Sequence, residues 1–237
     1  MRMNPELNTE PAARVACRGL EFGYGHALMP ALDWTVMPGE CWAIVGVNGC
    51  GKTTLFQTLL GNLPRLGGEC RVSANRAYVG AACDGQVPAR VRDVVSLGLE
   101  RGLSGWIPFY AWRRRDRVIR ALEAFELTTM ARRRFKTTSQ GERQRVLLAQ
   151  AIVGDPDVAF LDEAMSAMDP RHLREAFGQF ARVARIRAMS VVAVTHSLLA
   201  HADLMTHILA FTPEGFVMGP RDDVMPRLPE SLKTGGY

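Results

Sequence analysis

The sequence contains no run of uncharged apolar residues approaching the roughly 18 that a membrane-spanning helix needs, so the chain is not expected to cross a membrane by itself. Its first residues, 1–8, lack the apolar core of a signal peptide, so secretion is not expected. The five cysteines are odd in number and form neither a CxxC pair nor a spacing suited to zinc. These absences predict free thiols in the reducing environment of the cytoplasm.

Lysine is also scarce, with 3 Lys against 26 Arg. The formal net charge of +5 is modest and spread along the chain, so it is weak evidence for nucleic-acid binding, and we expect no nucleic-acid partner. Arginines cluster at residues 113–115 and 132–134. Each cluster is either a solvated face with local ion pairs or a surface that faces anionic lipid headgroups.

The chain has 237 residues, of which 47% are hydrophobic and 22% are charged, the balance of an ordinary globular protein. No repeat, low-complexity tract or linker divides it, so we expect a single domain over residues 1–237. Long helical patterns with dense charge occupy about residues 91–152, and apolar runs typical of buried strands lie on both sides. These patterns predict an α/β core with a helical insertion, with strands over residues 15–22, 32–37, 41–45, 158–161 and 191–194.

Residues 46–53, Gly-Val-Asn-Gly-Cys-Gly-Lys-Thr, match the phosphate-binding loop G-x-x-x-x-G-K-[ST]. The loop follows an apolar strand and opens a predicted helix over residues 52–60, so backbone N–H groups and the helix N-terminus can face phosphate oxygens. We expect Lys52 to reach the β- and γ-phosphates of ATP and the Thr53 hydroxyl to bind Mg²⁺. The candidate nucleotide-binding residues are Gly46, Asn48, Gly49, Cys50, Gly51, Lys52, Thr53 and Thr54.

Two carboxylates follow the apolar run over residues 158–161. At the end of a second strand, Asp162 fits the role of orienting the metal, and Glu163 fits the base that polarises an attacking water. An acidic pair at a strand end is also common in solvated turns. Its combination with the phosphate-binding loop favours the functional interpretation.

These motifs resemble the ATP-binding cassette (ABC) family, the ATPase subunits of ABC transporters, over nearly the whole chain. The family's signature motif, usually LSGGQ, has its counterpart in residues 138–142, Thr-Ser-Gln-Gly-Glu. The serine and second glycine are kept, and the resemblance implies that Ser139 and Gly141 contact a nucleotide phosphate. The same stretch also predicts an ordinary capping box between Ser139 and Glu142, and the two roles are compatible.

The resemblance implies a P-loop NTPase (RecA-like) core with an N-terminal antiparallel β subdomain and an α-helical subdomain inserted over about residues 82–153. Residues 166–169 resemble the family's D-loop, which ends here at Asp169. His196 resembles the switch histidine that contacts the γ-phosphate, and Tyr24 occupies the place of the aromatic ring that stacks on adenine. By this resemblance the catalytic residues are Glu163, His196 and Lys52.

One departure concerns the glutamine that the family places at the start of the helical insertion. Here Ala81 follows Tyr78-Val79-Gly80, and Gln86 comes five positions later. Gln86 either reaches the metal through a displaced loop or does not replace the ligand, and a shift of roughly 16 Å of extended chain favours the second interpretation.

Cys50 lies inside the phosphate-binding loop near a helix N-terminus, which predicts a lowered thiol pKa. It is interpreted either as a small loop filler or as a thiol that ATP protects from alkylation.

The resemblance implies a subunit that binds and hydrolyses ATP to power transport by ATP-driven closure of two cassettes, with a homodimer expected. It implies two transmembrane permease subunits, an extracytoplasmic substrate-binding protein for an importer, and a location in the cytoplasm at the inner face of the membrane. The stretch over residues 91–98 and the short C-terminus resemble importers of metals and metal chelates. The alternatives are a degenerate cassette that hydrolyses ATP poorly and a cytosolic ABC ATPase without a transport role.

Overall fold

The computed structural model describes residues 12–80, 88–99, 111–162, 170–195 and 198–234. In these ranges no helix is long and apolar enough to cross a membrane. The strands are β1 Val15–Glu21, β2 Leu32–Val36, β3 Cys41–Val45, β4 Gly67–Val72, β5 Arg76–Val79, β6 Val158–Leu161, β7 Ser190–Val194, β8 His207–Thr212 and β9 Gly215–Pro220. The α-helices are α1 Lys52–Leu60, α2 Val91–Leu97, α3 Ala111–Ala124, α4 Gln140–Ile152, α5 Pro170–Ile186, α6 Leu198–His201, α7 Arg221–Val224 and α8 Glu230–Thr234.

The central sheet has six strands in the order β5-β6-β7-β3-β8-β9. All its pairs are parallel except β8–β9, which is an antiparallel hairpin. Strands β3, β6 and β7 are buried at every position, as their continuous apolar sequences predict for a sheet covered on both faces. The predicted α/β core is therefore confirmed, with each of the five predicted strands within about one residue of its expected bounds.

The second sheet is antiparallel, with the order β2-β1-β4. It packs on α1, so that Leu55, Phe56 and Leu59 of the helix share one apolar core with β1 and β2. Phe56 also contacts Phe160 of β6 edge to face, with ring centroids 5.3 Å apart. Helix α1 is thus packed between the two sheets, and its N-terminus is held beside the strand ends of the central sheet.

In the residues that the structure describes, three α-helices follow β5 along the chain before it returns to the central sheet at β6. Helices α2, α3 and α4 pack on one another around Phe125, Leu127 and Phe135, which are fully buried. This arrangement is the helical insertion that the sequence predicts. Of the arginine clusters, Arg133 forms the expected local ion pair, with its Nη1 atom 3.2 Å from Oε1 of Glu142.

The β1–β4 pair contains an irregularity at which Gly68 lies against the carbonyl group of Gly19. Gly68 has φ +71°, and a Cβ atom there would lie 2.0 Å from the Gly19 oxygen. We expect Gly68→Ala to lower the free energy of unfolding by about 3 kcal/mol, because it combines a left-handed backbone with a clash against main chain. Urea denaturation monitored by tryptophan fluorescence measures the change.

Gly61 provides the matched control, because it has φ +81° at the C-cap of α1 but no atom within 4 Å of its would-be Cβ. Gly61→Ala should therefore cost only about 1 kcal/mol, the price of the left-handed conformation alone. Equal losses of stability in the two variants would contradict the proposed steric contribution at Gly68.

Candidate functional site

The carboxyl ends of β3, β6 and β7 meet at one edge of the central sheet. Adjacent register pairs align Leu161 with Ala193 and Ile44 with Val194. The main chain continues this alignment beyond the strands, because the Thr195 amide donates to the Ile44 carbonyl oxygen at 3.1 Å. Ligands of open α/β sheets bind at this edge, and the glycine-rich loop after β3 lies there.

The loop over residues 46–51 is closed around the side chain of Lys52. The Lys52 ammonium group donates hydrogen bonds to the carbonyl oxygens of Gly46 at 2.8 Å and Val47 at 2.9 Å. Only 5% of the Lys52 residue is exposed. Since the N-cap of α1 is Gly51, with φ +105°, no side chain caps the first turn. The arrangement presents a positive charge and helical amide groups to an anionic ligand.

Asp162 follows β6 directly and is buried, with 5% of the residue exposed. Its amide group donates to the Val79 carbonyl oxygen at 2.8 Å, which fixes the residue against the end of β5. The Thr53 hydroxyl donates to Oδ1 of Asp162 at 3.3 Å. The structure therefore brings together two residues that the sequence assigns to one metal site.

Tyr78, near the end of β5, is a contact of this site that the sequence reasoning missed. Its hydroxyl group donates to Oδ2 of Asp162 at 3.3 Å. Burial and the Asp162 charge raise the pKa of Tyr78 above its ordinary value, so the hydroxyl keeps its proton and acts as a donor. The parallel pairing of β5 with β6 places Tyr78 beside Phe160, and a single sequence does not reveal this pairing.

The donor set fits Mg²⁺. This ion prefers oxygen ligands and is commonly held by one or two protein groups together with water and substrate phosphates. Asp162 supplies a buried carboxylate and Thr53 a hydroxyl group on the same side of the loop. No group of three or more His, Cys, Asp or Glu side chains suited to a transition metal occurs in the described parts of the chain.

Tyr24 lies in the turn between β1 and β2 and is 65% exposed. The same turn is anchored next to the phosphate-binding loop, because the Leu28 amide donates to the Phe22 carbonyl oxygen and both side chains border Gly51. A Cβ atom at Gly51 would lie 3.1 Å from Leu28 and 3.5 Å from Phe22. The turn that carries the exposed Tyr24 is thus anchored next to the phosphate-binding loop.

Ser139 is the N-cap of α4, and the predicted capping box is confirmed. The Ser139 amide donates to Glu142 Oε2 at 2.6 Å, and the Glu142 amide donates to the Ser139 hydroxyl oxygen at 3.3 Å. The Ser139 amide hydrogen bond, helped by the charge of Arg133, holds the pKa of Glu142 below its ordinary value. The capping box therefore satisfies the amide groups of Ser139 and Glu142 at the start of α4.

Ser139 and Gly141 lie at the start of α4. They line a cavity of about 790 Å³ together with His172 and Glu175 at the start of α5. Within the described ranges, no hydrogen bond or ion pair joins either residue to residues 46–54.

Several residues that the sequence assigns to the site lie outside the described residues. They are the proposed base, the D-loop aspartate, the switch histidine and the two residues considered for the missing glutamine, namely Glu163, Asp169, His196, Ala81 and Gln86. Their roles remain predictions from the sequence.

The expectation of a lowered pKa for Cys50 is wrong. Burial raises the pKa of this thiol above its ordinary value of 9.0, and the nearby Lys52 charge only partly opposes the effect. The Cys50 sulfur lies 4.0 Å from the Lys52 nitrogen, and both are packed inside the loop. This surrounding favours the interpretation of Cys50 as a loop filler with low reactivity at neutral pH.

Cys50 should therefore be alkylated by iodoacetamide more slowly at pH 7.5 than an exposed thiol, with a rate that rises as the pH passes 9.0. ATP should slow the reaction further, because phosphates bound at the loop would cover the sulfur. Peptide mapping by mass spectrometry measures modification of Cys50 alone. If alkylation of the Cys50→Ser variant abolished ATP binding to the same extent as in the wild-type chain, another thiol would be responsible for the loss.

A glycine-rich loop between a central parallel strand and a helix, with a buried aspartate at the end of a neighbouring strand, defines a P-loop nucleotide-binding protein. The family model described as ABC transporter matches residues 29–166. The chain belongs to the ABC transporter family and is an ATP-binding subunit with ATPase activity. The predicted membership and the P-loop NTPase fold are confirmed, and such subunits work with membrane permease partners.

The names of individual relatives agree with this family assignment. The chain is 33% identical over 188 residues to the zinc transport system ATP-binding protein TroB of Treponema pallidum, covering 75% of this chain and 70% of the relative. It is 38% identical over 156 residues to the aliphatic sulfonates import ATP-binding protein SsuB 2 of Frankia alni, covering 65% and 59%. A solved metal-chelate type ABC transporter in an inward-facing conformation superposes with a TM-score of 0.81 at 25% identity, covering 90% of this chain and 86% of that one.

Proposed function

We propose that the chain hydrolyses Mg-ATP to power import of a metal ion or metal chelate through separate membrane subunits. The observation that carries the ATPase assignment is the convergence of Lys52, Thr53 and Asp162 at one edge of the central sheet. The whole chain, residues 1–237, would act as one nucleotide-binding domain, with a helical subdomain over about residues 82–153.

Each residue of the site has a chemical task in this proposal. Lys52 and the α1 amide groups bind the phosphates and stabilise charge that develops on them, while Tyr24 stacks on adenine. Thr53 and Asp162 would hold Mg²⁺, which neutralises negative charge on phosphate oxygens when it is bound. Glu163 polarises the attacking water and His196 contacts the γ-phosphate. Tyr78 orients the Asp162 carboxylate through its hydroxyl group.

A working unit requires two cassettes, and we expect a homodimer. The support is the position of Ser139 and Gly141, which line a cavity with α5 and make no hydrogen bond to residues 46–54 in the described parts of the chain. The capped start of α4 presents the Ser139 hydroxyl group and a helix N-terminus to the phosphates of ATP held by the partner. ATP binding across the interface would close the dimer, and hydrolysis would reopen it.

The identity of the transported cargo is proposed from the relatives, because the residues of the nucleotide site do not specify it. The name of the zinc relative and that of the metal-chelate structure support a metal or metal chelate, whereas the name of the sulfonate relative supports an organic anion. Transport would require two permease subunits and an extracytoplasmic binding protein, which places this chain at the inner face of the membrane. ATPase activity of the purified complex should rise with metal-loaded binding protein, and stimulation by an aliphatic sulfonate instead would reassign the cargo.

A degenerate cassette is the second candidate. Gln140 replaces the first glycine of the signature motif, and Ala81 stands where the family has glutamine. Both changes affect parts of the family's catalytic arrangement, so ATP binding without efficient turnover is the specific alternative.

Steady-state phosphate release by the purified chain, with Mg²⁺ and with EDTA, separates the two candidates. We expect turnover that requires Mg²⁺, together with dimer formation in size-exclusion chromatography under Mg-ATP. ATP binding without turnover, persisting after permease subunits are added, would favour the degenerate cassette. Absence of ATP binding would contradict the assignment of the loop itself.

A further inference from the structure

Two cysteines face each other across the antiparallel sheet, away from the nucleotide site. Cys17 of β1 and Cys70 of β4 are directly opposite in the strand register. Their sulfur atoms are 3.7 Å apart, and the Cys17 thiol donates a hydrogen bond to the Cys70 sulfur. Opposite residues of antiparallel strands have Cα atoms about 4.5–5.5 Å apart, inside the range that disulfides use. The strands therefore already hold both sulfur atoms at a distance from which a bond can form.

The two thiols differ in access to solvent. Cys17 lies on the central strand of its sheet and is buried at 3% exposure in the core beneath α1. Cys70 lies on β4, at the edge of that sheet, and is half-buried. A reagent from solution can reach Cys70 first, and Cys70 can then pass the modification on to Cys17.

A cavity of about 720 Å³ opens beside Cys70 at the C-terminal end of α1. The cavity is lined by three arginines, Arg65, Arg71 and Arg76, and none of its other lining residues is acidic. Arg76 is fixed by a hydrogen bond to the Leu60 carbonyl oxygen at 2.9 Å. Three arginines that line one cavity beside a half-buried thiol favour a reagent that carries carboxylates.

The charges of the cavity also act on the thiol. The hydrogen bond from Cys17 is the largest influence that lowers the pKa of Cys70, and Arg65 and Arg76 add to it, while burial opposes them. The same hydrogen bond and burial raise the pKa of Cys17. Cys70 is thus the nucleophile of the pair, and Cys17 keeps its proton until a second step.

We propose that Cys70 and Cys17 form a two-thiol site that reacts with small carboxylate-bearing disulfides bound at the arginine-lined cavity. The Cys70 thiolate attacks one sulfur of the reagent, forms a mixed disulfide and releases the other half as a thiolate, which takes up the proton of Cys17. Cys17 then attacks the Cys70 sulfur and expels the second half. The two protein thiols are oxidised to a Cys17–Cys70 disulfide, and the reagent is reduced to two thiols.

Glutathione disulfide is the anionic probe, compared with neutral 2-hydroxyethyl disulfide and cationic cystamine on the full chain. Peptide mapping after incubation should identify a Cys17–Cys70 cross-link, in a product about two hydrogens lighter than the reduced chain. We expect the glutathione reaction to slow roughly tenfold between low salt and 0.5 M salt, whereas the neutral reagent changes less than about twofold. Cystamine reacting as fast as glutathione disulfide at low salt would overturn the role of the arginines.

Variants assign the order of the steps. Cys17→Ala should stop at the mixed disulfide on Cys70, whereas Cys70→Ser should form neither the adduct nor the cross-link. Arg71→Ala should slow the reaction with glutathione disulfide severalfold. Arg227→Ala is the matched control, because Arg227 is exposed and does not line the cavity, and it should leave the rate unchanged. A cross-link missing from the wild-type chain, or a glutathione adduct on Cys17 in Cys70→Ser, would overturn the proposal. If a cysteine variant misfolds, the salt dependence of the wild-type reaction still tests the role of the arginines.

Discussion

Replacing Lys52 by alanine is expected to lower ATP turnover by roughly 10²–10³-fold, the effect of removing one preorganised charge from a transition-state site. Lys52 is buried, with 5% of the residue exposed, and its ammonium group is held by two backbone carbonyl oxygens at 2.8 and 2.9 Å. A charge held in this way needs little reorganisation when negative charge develops on the phosphates. Steady-state phosphate release, with ATP affinity measured separately by a fluorescent nucleotide, quantifies the loss.

The scarcity of lysine gives this experiment a clean control. Lys136 is exposed and is one of only 3 lysines in the sequence, so Lys136→Ala removes the same charge from a site outside the loop. It should leave turnover within about twofold of the wild-type value. Lys52→Arg should lose turnover as Lys52→Ala does, because a planar guanidinium cannot occupy the space of a compact ammonium between two carbonyl groups. Lys52→Ala that kept normal turnover and a normal denaturation midpoint would remove Lys52 from the proposed chemistry.

The sequence predicted the parts of the fold whose pattern is local. The buried strands β3, β6 and β7 are continuous apolar runs, and α1 is bounded by the glycine-rich loop and by Gly61. Strand β4 was not predicted, because it begins with two glycines and all six of its residues are partly or fully exposed. An edge strand of this kind is defined by its pairing with β1, and a hydrophobic pattern does not reveal pairing.

The same division applies to the site. The motif around Lys52 and the carboxylate Asp162 are readable because each follows a recognisable strand. The contact of Tyr78 with Asp162 joins residues 84 positions apart, and the Cys17–Cys70 pair joins residues 53 positions apart. Such contacts depend on strand order and register, and a single sequence contains neither. The pKa of Cys50 was predicted wrongly for a related reason, since burial is a property of the folded loop.

The adjacent carboxylates Asp162 and Glu163 should give two different kinds of inactive protein. Glu163→Gln is expected to lower turnover by roughly 10²–10⁴-fold, because an amide cannot accept the proton of an attacking water. It should still bind Mg-ATP and accumulate as an ATP-bound dimer. Asp162→Asn removes the buried charge beside Thr53, so it should lose turnover together with the effect of Mg²⁺ on ATP affinity. Phosphate release, size-exclusion chromatography and a Mg²⁺ titration of ATP binding measure the three properties.

Tyr78→Phe is the control that connects this pair of results to the structure. It removes a hydroxyl group 3.3 Å from Oδ2 of Asp162 and keeps the carboxylate, so turnover should fall only a few-fold while the Mg²⁺ requirement shifts to higher concentration. If Asp162→Asn formed the trapped dimer as readily as Glu163→Gln, the two carboxylates would share one role and the metal assignment at Asp162 would be wrong. If Glu163→Gln kept its turnover, the base would have to be sought elsewhere. Asp162 would then be the only carboxylate that the described residues place beside Thr53. It is already fixed against the end of β5, because its amide group donates to the Val79 carbonyl oxygen.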